Sequence, residues 1–348
     1  MSSSPLPNLS VLNQDNSSLF EQAAAAPLAD GLRLPETLAQ HPAFSRVFQA
    51  GKLTFGLIAP FKGYADSPFP ELHDFAELAQ AADNGGFAAL WLRDVPFYDP
   101  AFGDTGQIYD PFVTAGYLAA LTRRIAIGTA GIVTPLREPL HVAKAAASID
   151  ALSDGRFLLG MSSGDRPVEY PAFAQNFDNR AERFREAWDL IDTATRESFP
   201  RRGSEHYGNL SGNIDMLPKP QSVLPKIAIG RARQDLAWLA NTPDAWIWHG
   251  VDPQQVGQII NTINELGDGQ TWKPFGYANF VEVLDNPNEP AKLYNNIFLR
   301  GGAKGLADYW QEQRAQGLAH VTVNLKPTRR PAKEVLQELS ETVLPQFA

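Results

Sequence analysis

Residues 124–166 read RIAIGTAGIVTPLREPLHVAKAAASIDALSDGRFLLGMSSGDR, and the hydrophobic pattern of this stretch decides the fold. Arg124–Val133 is an apolar, β-branched run of the kind found in strands that are buried on both faces. From Leu140 the apolar residues recur at helical spacing, and Gly155 stands where a helix end favours a positive φ. Phe157–Met161 is a second buried run. Two buried strands joined by a helix pair in parallel through a right-handed crossover, so the sequence predicts an α/β protein.

The same alternation continues along most of the chain. The predicted strands are Leu53–Pro60, Ala88–Arg93, Arg124–Val133, Phe157–Met161, Lys226–Gly230, Ala245–Trp248, Phe275–Leu284 and His320–Leu325, each followed by a helical pattern. Eight strands that alternate with helices predict a single (β/α)8 TIM barrel over residues 51–348, with insertions at its C-terminal face. The aromatic loop 97–109 and the segments 199–226 and 285–303 are candidate lids over that face.

The first 50 residues read as an N-terminal extension. Residues 1–31 are rich in Ser, Asn, Ala and Pro, which favours a tail that is mostly disordered. Pro35–Ala50 carries enough large apolar residues for a short helix. Such a helix either plugs the N-terminal end of the barrel or forms an ordinary surface appendage.

Composition excludes several classes of partner. The chain has 30 basic and 39 acidic residues, a net charge of −9, and no long basic cluster, which argues against nucleic acid. No apolar run approaches the ~20 residues that span a bilayer, and the N-terminus does not resemble a signal peptide, so a cytoplasmic location is expected. The absence of cysteine excludes thiolate sites, and no histidine pair has metal-ligand spacing, so no metal site is predicted.

Two loops carry groups suited to a phosphate. Ser162, Ser163 and Gly164 follow the fourth strand and offer hydroxyls and backbone N–H groups where a ligand can approach closely. Arg231, Ala232 and Arg233 follow the fifth strand and lead into a predicted helix near Gln234, so two guanidinium groups would lie beside the same anion. The alternatives are that the serine turn is an ordinary polar turn and that the arginines pair with Glu169 or Asp165.

The remaining candidates also lie at strand ends. Ala130 and Gly131 would let a flat ring approach the third strand, or would simply pack against a helix, and Thr134 could bond to the ring edge. Arg93 and Asp94 at the end of strand two are candidate catalytic or substrate-binding groups, with a structural ion pair as the alternative. His249 after strand six is the histidine placed to act as a general base.

The motif TP-x-R-x-P, followed by AKAAASIDALSDGRFLLGMSSGDR, resembles the luciferase-like flavin monooxygenases, and the resemblance extends from about Leu53 to Pro345. It implies a barrel that binds reduced flavin mononucleotide (FMN), or a deazaflavin in one branch. The phosphate would lie at the serine turn and the Arg231–Arg233 loop. The ring would lie near Ala59, Asp94, Ala130, Gly131 and Thr134, with a non-prolyl cis peptide at Ala130–Gly131. Val95 occupies the position of the catalytic histidine of bacterial luciferase, which argues against light emission and aldehyde oxidation.

The resulting functional hypothesis is a monooxygenase that uses reduced FMN and O2 on a small organic substrate. A separate flavin reductase and a homodimer are the partners that the resemblance implies. Three alternatives are a deazaflavin-dependent hydride transferase, a non-catalytic flavin-binding protein, and an unrelated barrel such as a phosphosugar lyase or isomerase.

Overall fold

The computed structural model describes residues 31–347, so the predictions for residues 1–30 lie outside the described part of the chain. Its centre is a ring of eight parallel strands. Each strand pairs with the next along the chain, and the last strand pairs with the first. The strands are β1 Thr54–Ile58, β2 Ala89–Leu92, β3 Ala126–Thr129, β4 Phe157–Ser162, β5 Lys226–Ile229, β6 Ala245–His249, β7 Phe275–Val283 and β8 His320–Asn324. The predicted TIM barrel is confirmed.

Helices connect successive strands on the outside of the ring. They are α1 Phe75–Gly85, α2 Pro111–Leu121, α3 Pro139–Leu152, α4 Arg180–Arg196, α5 Leu236–Asn241, α6 Val256–Leu266, α7 Ala303–Ala315 and α8 Ala332–Glu338. Gly155, three residues beyond the end of α3, has φ +75°, the positive φ that the sequence predicts at this helix end. After α8 the chain stays helical but changes its hydrogen-bond pattern, because Leu339–Val343 forms a π-helical turn and Leu344–Gln346 a 3-10 turn.

The third predicted strand is interrupted where the sequence places Ala130 and Gly131. β3 ends at Thr129, and a two-residue strand, Ile132–Val133, then pairs with Met161 and Ser162 of β4. The peptide bond between Ala130 and Gly131 is cis, as the resemblance implies. A Cβ on Gly131 would lie 2.8 Å from Cγ1 of Ile229, so only glycine fits against β5 at this point.

The long segment between α4 and β5 enters the barrel wall from the N-terminal side, because it joins the end of a helix to the start of a strand. It contains a short antiparallel hairpin, Arg201–Arg202 with Leu210–Ser211. The hairpin returns along α4, and the Tyr207 hydroxyl donates to the carbonyl of Thr134 at 3.4 Å. The segment after β7 also forms strands, Lys292–Tyr294 and Phe298–Gly301, and the second of these pairs with the end of β7.

The N-terminal helices close the lower end of the barrel. Phe44, Val47 and Phe48 are fully buried and pack against the inward side chains of the strands, among them Trp91 and Leu158. The helix Pro42–Val47 begins at His41, whose ring nitrogen Nδ1 accepts from the Phe44 N–H at 3.3 Å. The plug predicted for this segment is therefore what forms, rather than a surface appendage.

Trp91 fills the barrel interior above this plug. Its indole Nε1 donates to Nε2 of His320 at 3.0 Å, and the side chain is fully buried. Gly56 on β1 and Gly128 on β3 flank the ring, and a Cβ at either position would collide with it. The two glycines lie on the strands on either side of β2, and together they make the space that the indole occupies.

We expect Gly128→Ala to destabilise the barrel by about 1–3 kcal/mol, because the buried indole has no free volume into which to move. Gly116→Ala is the matched control, since a Cβ there meets no atom within 4 Å and lies inside α2. It should stabilise the protein by about 0.5–1 kcal/mol. Urea unfolding midpoints measure both changes, and an unaltered midpoint for Gly128→Ala would contradict this account of the interior.

Candidate functional site

The C-terminal ends of the eight strands open onto one face of the barrel, which we call the mouth. The residues predicted for the cofactor come to this face from four different strands. Ala59 follows β1, Ala130 to Thr134 follow β3, Ser162 to Gly164 follow β4, and Arg231 to Arg233 follow β5. His249 is the last residue of β6. The barrel thus places these predicted residues at one face, where this fold positions its chemistry.

The serine turn, Ser162–Gly164, is tightly held. The Ser162 hydroxyl donates to the carbonyl of Gly131 at 3.3 Å, and the Tyr170 hydroxyl donates to the carbonyl of Ser163. Gly164 has φ +74°, and a Cβ there would lie 3.0 Å from the Tyr170 hydroxyl oxygen. Glycine is therefore required both by the backbone conformation and by the close approach of Tyr170.

Three arginines, Arg180, Arg231 and Arg233, form what we call the arginine cluster. Within residues 31–347, none of them forms an ion pair with a carboxylate. Burial lowers the pKa of Arg231 and of Arg180, and the nearby charge of Arg233 lowers both further. The Nε atoms of Arg180 and Arg231 are buried and have no hydrogen-bond partner in the described part of the chain. The expected alternative, in which Arg231 and Arg233 pair with Asp165 or Glu169, does not form.

The arginine cluster lies close to the serine turn through Tyr170. The charge of Arg180 acts on the Tyr170 phenol, whose hydroxyl in turn holds the serine turn. Positive charge that is partly buried and unpaired is costly, and an anion with several oxygens would relieve that cost. The arrangement is therefore suited to a phosphate group. Sequence reasoning missed Arg180, because an arginine at the start of a helix reads as an ordinary surface charge.

The connection after β5 differs from the prediction. Instead of running directly into a helix, the chain passes through two residues in the left-handed region, Ala232 at φ +48° and Arg233 at φ +60°. Helix α5 begins at Leu236, after Asp235 caps it by accepting from the N–H of Trp238 at 2.7 Å. Consecutive non-glycine residues with positive φ are uncommon, which marks this loop as a constrained one.

Thr134 and His249 carry the remaining polar groups expected near a ring. Thr134 is fully buried, and none of the residues that the structure describes forms a hydrogen bond with its Oγ1. His249 lies beside Gly230, where a Cβ would be 3.7 Å from its Cε1. Burial lowers the pKa of His249, although the charge of Asp165 opposes this, so the imidazole is mostly neutral at pH 7 and able to accept a proton.

Arg93 and Asp94 form ion pairs with different residues, and both ion pairs have a structural role. The Arg93 guanidinium binds the Asp104 carboxylate through two bonds of 2.6 and 3.1 Å and also donates to the Tyr64 hydroxyl. Asp94 accepts from Arg137 at 2.6 and 2.8 Å and from the N–H of Val133 at 3.0 Å. These contacts favour the structural alternative over a catalytic role for either side chain.

Asp104 fixes the aromatic loop 97–109 against the mouth. Besides Arg93, its carboxylate accepts from the Tyr64 hydroxyl and the Gly106 N–H, and Lys326 lies 3.7 Å away. Burial alone would raise the pKa of Asp104, but Arg93 and these other groups hold it well below its usual range. The candidate lid is thus anchored at its centre by a buried ion cluster.

Glu169 is a second buried acid near the mouth, which the sequence analysis names only as an alternative partner for Arg231 and Arg233. It is 5% exposed, and its Oε1 lies 3.8 Å from Nη1 of Arg166, a distance too long for a hydrogen bond. Burial raises the pKa of Glu169 to about 7, despite the opposing charge of Arg166. This carboxyl therefore exchanges its proton near neutral pH.

Among residues 31–347, no three His, Asp or Glu side chains converge in a way that could hold a metal ion. Over the same residues, no helix combines the length and apolar character needed to cross a membrane.

Comparison with known proteins identifies the family. The family model described as luciferase-like monooxygenase matches residues 53–348. The alkanal monooxygenase beta chain of Photorhabdus luminescens is 32% identical over 106 residues, which cover 30% of this chain and 33% of that protein. The chain thus spans about a third of the length of this curated relative.

Two solved structures share the barrel. The coenzyme F420 dependent tetrahydromethanopterin reductase of Methanopyrus kandleri superimposes with a TM-score of 0.67 at 13% identity, over 86% of this chain and 100% of that one. The oxygenating constituent of 3,6-diketocamphane monooxygenase from Pseudomonas putida, in complex with FMN, gives a TM-score of 0.65 at 13% identity, over 86% and 99%. Since the family model spans most of the sequence and the fold agrees, this chain belongs to the luciferase-like monooxygenase family.

Proposed function

We propose that this protein is a monooxygenase that binds reduced FMN and uses O2 to oxygenate a small organic substrate. The observation that carries the proposal is the arginine cluster, whose positive charge has no carboxylate partner in the described residues and lies beside the serine turn. The similarity to an alkanal monooxygenase chain supports a monooxygenase among the reactions of this family.

The phosphate of FMN would be held by Ser162, Ser163 and Gly164 on one side and by Arg180, Arg231 and Arg233 on the other. Guanidinium groups bind phosphate oxygens in pairs, and serine hydroxyls and backbone N–H groups can satisfy the oxygens that remain. The buried, unpartnered Nε atoms of Arg180 and Arg231 fit this assignment, because they leave donors for an anion to use.

The ring would lie over Ala59, Ala130 and Gly131, whose small side chains leave its face unobstructed. The unpartnered hydroxyl of Thr134 would bond to the ring edge. When bound, reduced flavin supplies the electrons with which O2 is activated, and the protein's task is to position it and exclude water. The loop that Asp104 anchors follows β2 at the mouth and would act as a lid that restricts the entry of water.

The neutral His249 would accept a proton from the substrate at its ring nitrogen, since burial keeps its pKa below the ordinary value. A separate flavin reductase would supply the reduced FMN. Asp94 is not assigned to the ring, because Arg137 and the Val133 N–H already occupy both of its oxygens.

A deazaflavin-dependent hydride transferase is the second candidate, and the structural similarity to an F420-dependent reductase favours it. Titration of the protein with reduced FMN and with coenzyme F420, side by side and without oxygen, separates the two. We expect FMN to bind at least about 10-fold more tightly. Tighter binding of F420 would replace the monooxygenase with the hydride transferase.

We expect the double variant Arg231→Ala/Arg233→Ala to weaken binding of reduced FMN by at least about 100-fold, because it removes two charge-assisted contacts to the phosphate. Anaerobic fluorescence titration measures the dissociation constant. Arg196→Ala is the control: this arginine lies at the opposite end of α4 from Arg180 and is 61% exposed. Equal affinities in the double variant and the control would move the phosphate away from the arginine cluster.

Thr134→Val should weaken the binding of reduced FMN by about 2–10-fold. The substitution removes one hydroxyl donor at the ring and changes the side-chain volume little. The matched control is Thr195→Val, a buried threonine whose hydroxyl donates to Ile191 within α4 at 2.8 Å. The control should lose some stability and no affinity. An unchanged affinity in Thr134→Val would remove Thr134 from the ring site.

A further inference from the structure

A cavity of about 410 Å³ lies at the opposite end of the barrel from the mouth. Its wall combines the N-terminal segment, the C-terminal end of α3 and the loop before β5. The wall residues that bear on its chemistry are Glu36, Gln40, His41, Asp150, Gln221 and Ser222. None of them belongs to the proposed flavin site.

Asp150 is the buried acid of this cavity. It is 1% exposed and lies two residues before the end of α3. The backbone N–H of Gln221 donates to its carboxylate, but Oδ1 has no hydrogen-bond partner among residues 31–347. Oδ1 is closed to solvent in this conformation, so a ligand in the cavity reaches it only when the Asp150 side chain turns toward the cavity. A buried carboxylate oxygen without a donor is destabilising, so a ligand that brings a donor favours that turn.

His41 does not supply that donor. Its Nδ1 accepts from the N–H of Phe44 at 3.3 Å, and its ring N–H donates to the carbonyl of Val223. Nε2 of His41 lies 3.9 Å from Oδ1 of Asp150, which is too far for a hydrogen bond. Burial also lowers the pKa of His41 to about 4, so the ring carries no positive charge at pH 7.

The charge of the wall points to a cation. Asp150 and Glu36 are acidic, and no lysine or arginine of the described residues lines the cavity. Within the part of the chain that the structure describes, no three His, Asp or Glu side chains are placed to hold a metal. A cation that carries its own N–H donors therefore suits the site better than a bare ion.

We propose that this cavity binds a small organic amine, whose ammonium group donates to Oδ1 of Asp150. The amide groups of Gln40 and Gln221 and the hydroxyl of Ser222 would meet the other polar groups of the amine. A charge-assisted bond to a buried carboxylate is among the stronger hydrogen bonds in proteins. This binding is separate from the flavin chemistry at the mouth.

Calorimetric titration of the full-length protein at pH 8 with methylammonium, 1,4-diaminobutane and tetramethylammonium tests the proposal. We expect the first two to bind with dissociation constants of about 1 mM, and tetramethylammonium not to bind because it has no N–H. Equal binding of all three would replace a hydrogen-bonding site with a general attraction for cations. Failure of all three to bind would overturn the proposal.

Variants locate the site. Asp150→Asn should weaken amine binding by at least about 10-fold, whereas Glu334→Gln, an exposed acid at the start of α8, should change nothing. Because Asp150→Asn alters a buried group, Gln40→Lys provides a second test at an exposed position of the wall. Its own ammonium should compete with the free amine, and undiminished binding in both variants would place the amine elsewhere.

The pH dependence offers an independent readout. Burial raises the pKa of Asp150 to about 6, and an ammonium group binds only the ionised carboxylate. The affinity should therefore be constant above this pKa and fall as the pH is lowered through about 6. His41 and Glu36 are the other titratable groups of the wall, and His41 stays neutral through this range. An affinity that rises on acidification would contradict the assignment to Asp150.

Discussion

Closure of eight parallel strands into one ring forces every strand to end at the same mouth. The loops that follow the strands therefore lie close together at that face, and their charged side chains can pair with one another there. The glycines at 56 and 128 keep the ring interior filled by Trp91, and the N-terminal helices seal the lower end with Phe44 and Phe48. The mouth is left as the open end of an otherwise packed interior.

The charges at the mouth divide into two groups with different consequences. Over β1, β2 and β8, the cations Arg93 and Lys326 converge on Asp104, so that region is internally neutralised and holds a loop in place. Arg137 and Asp94 do the same beside β3. Over β4 and β5 the arginine cluster has no such partner among the described residues. The difference separates structural ion pairs from a site that is incomplete without an anion.

Much of the fold can be predicted from the sequence, because apolar β-branched runs and helical spacing are local signals. The predicted strands begin and end within a few residues of the observed ones. The glycine at position 155 is by itself enough to predict the turn after α3. The interruption at Ala130 was less visible, since pairing of Ile132 and Val133 with β4 depends on the neighbouring strand.

The partners of Arg93 and Asp94 could not be predicted, because ion pairing depends on how distant loops meet. Asp104 lies 11 residues after Arg93, and Lys326 arrives from the other end of the chain. Arg180 meets Arg233 only after the start of α4 has packed against the loop that follows β5, where the Gln234 amide donates to the carbonyl of Ala181. Sequence spacing carries no information about such encounters.

The most direct test of the central claim compares reduced FMN with reduced riboflavin, which has the same ring and no phosphate. Anaerobic calorimetry on the unmodified protein gives both dissociation constants. If the arginine cluster and the serine turn bind the phosphate, FMN should bind at least about 100-fold more tightly than riboflavin. Equal affinities would show that the phosphate makes no contribution and that the unpaired arginines serve another purpose.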